Sequence, residues 1–154
     1  PLVFCLMGPL MVVGSFFVLT GSYVHSALLV SMPIGCLVAA ILSANNLRDI
    51  AHDSRLGIKT TAGLLGHRRA RQEYAALVLS AYGFVAALLL MRMLPLWSLL
   101  TFLTAPLAIA NVRSALASAP EKPQAIAALD LRTAALHLTF GLLLIVSLLL
   151  GAFV

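Results

Sequence analysis

The sequence contains very few charged residues. Only 10% of its 154 residues are Asp, Glu, Lys or Arg, and only five of them are acids. Soluble domains typically contain about 25% charged residues. Hydrophobic residues make up 62% of the chain, and the mean hydropathy is +1.06. This composition excludes an ordinary water-soluble domain, and we therefore expect an integral membrane protein.

Three further features that the sequence lacks are a cysteine pair suited to a disulfide, a surface typical of nucleic-acid binding, and a basic signal-peptide segment. The only two cysteines, Cys5 and Cys36, both lie in apolar runs at different expected depths, so no disulfide is expected. The basic residues are not interleaved with aromatic residues, and this excludes nucleic acid as an expected partner. The sequence begins at Pro1 without an initiator Met or a basic signal-peptide segment. We therefore expect a piece of a longer protein.

Long apolar runs are what the sequence does contain. A helix needs about 20 mostly apolar residues to cross a membrane. Five runs meet this requirement, and they predict an all-α fold, a polytopic transmembrane helix bundle. The predicted spans are about 2–20, 26–45, 73–92, 95–112 and 133–153.

Most of the basic residues lie in two of the connections between these spans. Six of the ten fall within 46–72 and three within 113–132. Lys and Arg accumulate in the cytoplasmic loops of membrane proteins, so both connections are expected on that side. The sequence thus predicts a multi-pass protein of the cytoplasmic membrane, embedded in the lipid bilayer, with a cytoplasmic loop at 46–72 and its C-terminus outside.

Carboxylates and amides are concentrated where the second span ends. Asn45, Asp49 and Asp53 are spaced four residues apart. On a helix this spacing forms one stripe that drifts by about 40° per step. Oxygen ligands of this kind suit Mg²⁺, which is usually held by one or two carboxylates together with phosphate groups.

Three basic side chains accompany the two aspartates. Arg48 and Arg55 can bind phosphate oxygens as a fork, and Lys59 can bind them as a point charge. The alternative is a membrane-edge segment in which Asp and Arg merely pair with one another. Because Asp49 and Asp53 are two of only five acids, and lie close to a membrane span, we favour a functional site.

The same residues resemble those of a known family. The run Asn45-Asn46-Leu47-Arg48-Asp49-Ile50, with Asp53, Arg55, Gly57, Lys59-Thr60 and Leu65-Gly66 after it, is similar to the second aspartate motif of the UbiA superfamily. That superfamily consists of intramembrane prenyltransferases. The paired Asn and the Arg-Asp-Ile continuation most resemble the 1,4-dihydroxy-2-naphthoate polyprenyltransferases of menaquinone biosynthesis, as does the segment 136–143.

The resemblance implies a domain of about nine transmembrane helices with two aspartate motifs. Residues 1–154 would form the C-terminal part of that single domain, with five of the nine spans and only the second motif. The implied reaction transfers a polyprenyl group from prenyl diphosphate to 1,4-dihydroxy-2-naphthoate, with loss of CO₂ and diphosphate. A chain without the first motif would be inactive alone.

The resemblance also implies roles for individual residues. Mg²⁺ would be the cofactor, and prenyl diphosphate and an aromatic acceptor would be the substrates. Asp49 and Asp53 would be catalytic and would bind Mg²⁺ with help from Asn45. The implied diphosphate-binding residues are Arg48, Lys59 and Arg55.

Other interpretations stay open. The acceptor could be a ring of the 4-hydroxybenzoate or homogentisate type. A CDP-alcohol phosphotransferase would need an Asp-Gly-x₂-Ala-Arg element before the aspartates, which the sequence lacks. A cation transporter would spread polar residues through its helices rather than gather them at one edge. Asp130 either closes over the substrate or caps the last span.

Overall fold

The computed structural model describes residues 2–153, and over this range the chain folds into helices and turns. Five helices are long and apolar enough to cross a membrane. This confirms the predicted all-α membrane bundle. The helices are α1 (Leu2–Thr20), α2 (His25–Arg55), the short α3 (Thr61–Leu65), α4 (His67–Leu90), α5 (Leu96–Leu116) and α6 (Leu129–Ala152).

The helices extend beyond the predicted spans at one end of the bundle, where α2 ends and α4 and α6 begin. We call this the motif end. The segment 46–72 was predicted as a loop, and this is wrong at both its ends, because α2 continues to Arg55 and α4 begins at His67. Hydropathy marks only the apolar part of a helix. The helical backbone of α2 itself continues almost to Gly57, whose φ of 71° favours glycine.

The central helix of the bundle is α2. It packs against α1, α4 and α6, while α5 contacts both α4 and α6. The crossing with α1 is close, because a Cβ built on Gly8 would lie only 2.7 Å from the Cα of Gly35. Between α4 and α6, the hydroxyl oxygens of Tyr74 and Thr133 are 2.8 Å apart in the buried core. The start of α6 is thus bonded to α4, and α2 packs against both of these helices.

The fourth span changes its helical form along its length. Residues Leu96–Thr104 form a 3₁₀ helix, which continues as an α-helix over Ala105–Leu116. Pro106 lies in the first turn of the α-helical part, where its missing N–H costs no hydrogen bond. The span then returns the chain to the motif end, where the last connection leads into α6.

Candidate functional site

The three residues of the predicted stripe lie on successive turns near the end of α2. Asn45, Asp49 and Asp53 are all within its α-helical part, and all three are partly exposed. Each step of four residues advances about 6 Å along a helix. The polar stripe therefore follows α2 over its last three turns.

Arg48 connects this stripe to the last helix. Its Nε and Nη2 donate to the two carboxylate oxygens of Asp49, at 2.8 and 2.9 Å. Its Nη1 donates to Asp130 Oδ2 at 2.7 Å and to the carbonyl oxygen of Ala127 at 3.3 Å. Nη2 also donates to Asn45 Oδ1. A guanidinium has five N–H donors, and all five of them are engaged here.

This network changes how Arg48 is interpreted. The sequence predicted Arg48 as a diphosphate ligand, but any phosphate oxygen would have to displace one of its present partners. The two ion pairs found within residues 2–153 both use Arg48. The side chains of Arg48, Asp49 and Asp130 are only 26%, 31% and 28% exposed, so the network is largely shielded.

Asp53 faces a depression that Lys59 also lines. The depression has a volume of about 290 Å³ and is closed on one side by the start of α3. The chain turns back here because the Ile58 N–H donates to the carbonyl oxygen of Asp53 at 2.9 Å. Thr60 Oγ1 then caps α3 by accepting from the N–H of Gly63 at 3.1 Å. The structure thus brings Asp53 and Lys59 to one depression.

Asp49 lies in a neighbouring depression with Arg55. This depression has a volume of about 530 Å³, and Gln124 and Ala127 from the connection before α6 complete its wall. The exposed Arg55 side chain folds back on its own helix, where its Nε donates to the carbonyl oxygen of Ala51 at 3.2 Å. The predicted site residues therefore form two neighbouring groups at the motif end.

The oxygen atoms of the stripe fit a magnesium ion that is bound partly by the protein and partly by a phosphate group. Within residues 2–153, no three His, Cys, Asp or Glu side chains are grouped closely enough to hold a metal by themselves. A carboxylate has about four lone-pair sites, so Asp49 keeps acceptor capacity beside Arg48. Mg²⁺ usually retains several waters and takes one or two carboxylates together with substrate phosphates. Asp49, Asp53 and the amide oxygen of Asn45 match this donor set.

Two acids outside the stripe also occupy distinctive positions. Asp130 bonds to Arg48 and does not cap α6, whose N-cap is Ala128 without a side-chain hydrogen bond. Glu73 lines a cavity of about 450 Å³ between α1, α2 and α4. Ser43 lines the same cavity, and its buried Oγ has no hydrogen-bond partner among the described residues. The scarcity of acids in the sequence is the one signal that could have pointed to Glu73.

The chain also matches known proteins. The model of the UbiA prenyltransferase family matches residues 2–138. The chain belongs to this family. The UbiA-type resemblance of the motif is thereby confirmed, and the family is one of membrane-embedded prenyl-transferring enzymes.

Several UbiA-family relatives cover most of the chain. It is 35% identical over 147 residues to 1,4-dihydroxy-2-naphthoate octaprenyltransferase of Bacillus subtilis. The matched region is 96% of this chain and 47% of the relative. The Escherichia coli protein of the same name is 33% identical over 106 residues, 69% of this chain and 34% of the relative. UbiA prenyltransferase domain-containing protein 1 of Rattus norvegicus is 31% identical over 144 residues, 94% of this chain and 40% of the relative. The chain spans less than half the length of each of these relatives. No solved structure matches it.

Proposed function

We propose that this chain is part of an enzyme that transfers a polyprenyl group from prenyl diphosphate to 1,4-dihydroxy-2-naphthoate. A bond forms between the prenyl carbon and a ring carbon, the carbon–oxygen bond to diphosphate breaks, and the ring carboxylate leaves as CO₂. The observation that carries the proposal is the grouping of Asp49, Asp53 and Lys59 at one end of an apolar bundle. A prenyl diphosphate matches this arrangement, because it joins a charged head to an apolar tail. The acceptor is proposed from the printed names of two relatives.

At the motif end, some residues would bind the metal ion and others would bind the diphosphate head directly. Asp49 and Asp53, assisted by Asn45, would hold Mg²⁺, which when bound neutralises charge on the leaving diphosphate. Lys59 and Arg55 would bind the diphosphate oxygens at the rims of the two depressions. We assign no diphosphate contact to Arg48, because its donors are all engaged.

We further propose that the motif end faces the cytoplasm. Arg71 at the start of α4 supports this, since its Nη1 donates to the carbonyl oxygens of Leu116 and Ser118, at 2.7 and 3.1 Å. The two connections that are rich in basic residues therefore meet at one end of the bundle. Positive charge gathered at one end is typical of the cytoplasmic side.

An acceptor comparison tests the proposed reaction. The full-length protein in detergent, with Mg²⁺ and a prenyl diphosphate, is given the naphthoate, 4-hydroxybenzoate and homogentisate in parallel assays. We expect the naphthoate to react fastest, and the product mass should equal acceptor plus prenyl group with CO₂ lost. A faster reaction with 4-hydroxybenzoate or homogentisate would overturn the proposed acceptor. Failure to prenylate any of the three rings would contradict prenyl transfer itself.

Lys59 provides a test of diphosphate binding. Lys59→Ala removes one positive charge from the rim of the Asp53 depression, so KM for prenyl diphosphate should rise about tenfold while kcat changes little. The matched control is Lys122→Ala, which changes the only other lysine of the sequence and should leave KM unaltered. An unchanged KM in Lys59→Ala would show that Lys59 does not bind the diphosphate.

A further inference from the structure

Asp130 contacts the aspartate motif although it lies 82 residues beyond Arg48 in the sequence. We propose that Asp130 is a positioning residue for prenyl transfer, which acts through Arg48 to hold Asp49 and Asn45 in place. The inference rests on the proposed function, because it assigns Asp130 to the same metal and diphosphate site. Asp130 itself touches neither substrate in this proposal.

The bonds of Arg48 carry the inference. The planar guanidinium joins Asp49 and Asn45 on one side to Asp130 and the Ala127 carbonyl oxygen on the other. A guanidinium has a fixed fork geometry, so an anchor on one edge sets the direction in which the other edge points. Asp130 therefore fixes the orientation of the Asp49 carboxylate, and Asp130 is itself held by its place in the first turn of α6.

The anchor itself is held firmly. The preceding residue, Leu129, is 1% exposed, and the following turn is fixed by the hydrogen bond between Tyr74 and the buried Thr133. A single exposed ion pair contributes little to stability, whereas a network with bidentate geometry can fix the position of its members. We therefore expect Asp130 to orient the Asp49 carboxylate and to add little to the stability of the bundle.

Charge sharing leads to the same expectation. One guanidinium is divided between two carboxylates, so the group formed by Arg48, Asp49 and Asp130 carries one net negative charge. Without Asp130, the full positive charge of Arg48 would be opposed by Asp49 alone. Asp49 would then attract a cation less strongly, because the neighbouring positive charge would be less compensated.

The variant Asp130→Asn in the full-length protein tests the inference, because it keeps the size of the side chain and removes its charge. We expect the Mg²⁺ concentration for half-maximal activity to rise about tenfold, with KM for the aromatic acceptor unchanged. Asp130→Glu should restore part of the Mg²⁺ affinity. Glu121→Gln is the matched control, since it removes an exposed acid from the connection that precedes α6 and should leave the Mg²⁺ dependence unaltered.

A binding measurement provides a readout that does not depend on turnover. Ligands that bind the folded state raise its melting temperature. MgCl₂ with inorganic pyrophosphate should stabilise the wild-type protein, and about tenfold more MgCl₂ should be needed for the same shift in Asp130→Asn. A lower melting temperature with unchanged Mg²⁺ dependence would show a merely structural role and would overturn the inference.

A double variant tests whether Asp130 acts through Arg48. If it does, Arg48→Gln combined with Asp130→Asn should be no more impaired in Mg²⁺ affinity than Arg48→Gln alone. Additive losses would overturn the inference, because Asp130 would then act by a contact of its own. A wild-type protein that binds Mg²⁺ and pyrophosphate but transfers no prenyl group would contradict the proposed function, while the binding comparison would still decide the role of Asp130.

Discussion

Replacement of either Asp49 or Asp53 by Asn in the full-length protein should abolish Mg²⁺-dependent prenyl transfer. Asn keeps the size of the side chain but loses the charge and one of the two ligand oxygens. We expect kcat/KM to fall at least about 1,000-fold, which corresponds to roughly 4 kcal/mol of transition-state stabilisation. The assay measures prenylated product at saturating Mg²⁺.

The two aspartate variants should differ in their thermal stability. Asp49 accepts two hydrogen bonds from Arg48, so Asp49→Asn should also lower the melting temperature. Asp53 belongs to neither ion pair within the described part of the chain, so Asp53→Asn should melt like the wild type. Activity retained in both variants would contradict the assignment of the site.

Arg48→Lys should cause the second largest loss, although it keeps the positive charge. An ammonium group has three N–H donors on one nitrogen and cannot reproduce the five bonds of the planar guanidinium. Asp49, Asn45 and Asp130 would no longer be held by one group. We expect activity to fall about 100-fold and the melting temperature to decrease, as measured by kcat/KM and by thermal unfolding in detergent.

The matched control for this variant is Arg69→Lys. Arg69 is exposed at the start of α4 and takes part in neither ion pair of residues 2–153. The Arg69→Lys variant should retain wild-type activity and stability. Wild-type activity in Arg48→Lys would mean that positive charge alone suffices and that the geometry of the guanidinium network has no role.

The number of spans was predictable from the sequence, whereas the ends of the helices were not. Each span is a long apolar run, and hydropathy detects such runs directly. The last turns of α2 are polar, but Leu47 and Ile50 still pack against the core. Between Gly35 and Gly57, no glycine or proline interrupts the chain. Helical structure therefore continues beyond the apolar span.

The site could be predicted only where it depends on local spacing. The stripe of Asn45, Asp49 and Asp53 follows from one helical repeat and required no tertiary information. The approach of Lys59 to Asp53 depends on the turn at Gly57, and the bond between Arg48 and Asp130 depends on how α6 docks against α2. No local pattern in the sequence encodes such long-range packing.

The central claim is that Asp49 and Asp53 hold the metal of a bound prenyl diphosphate. The most direct measurement is a structure of the full-length protein with Mn²⁺ and an unreactive prenyl thiodiphosphate, in which anomalous scattering locates the metal. We predict a metal in direct contact with a carboxylate oxygen of Asp49 or Asp53, with a diphosphate oxygen on its other side. A metal and diphosphate bound elsewhere, with neither carboxylate in contact, would contradict the account.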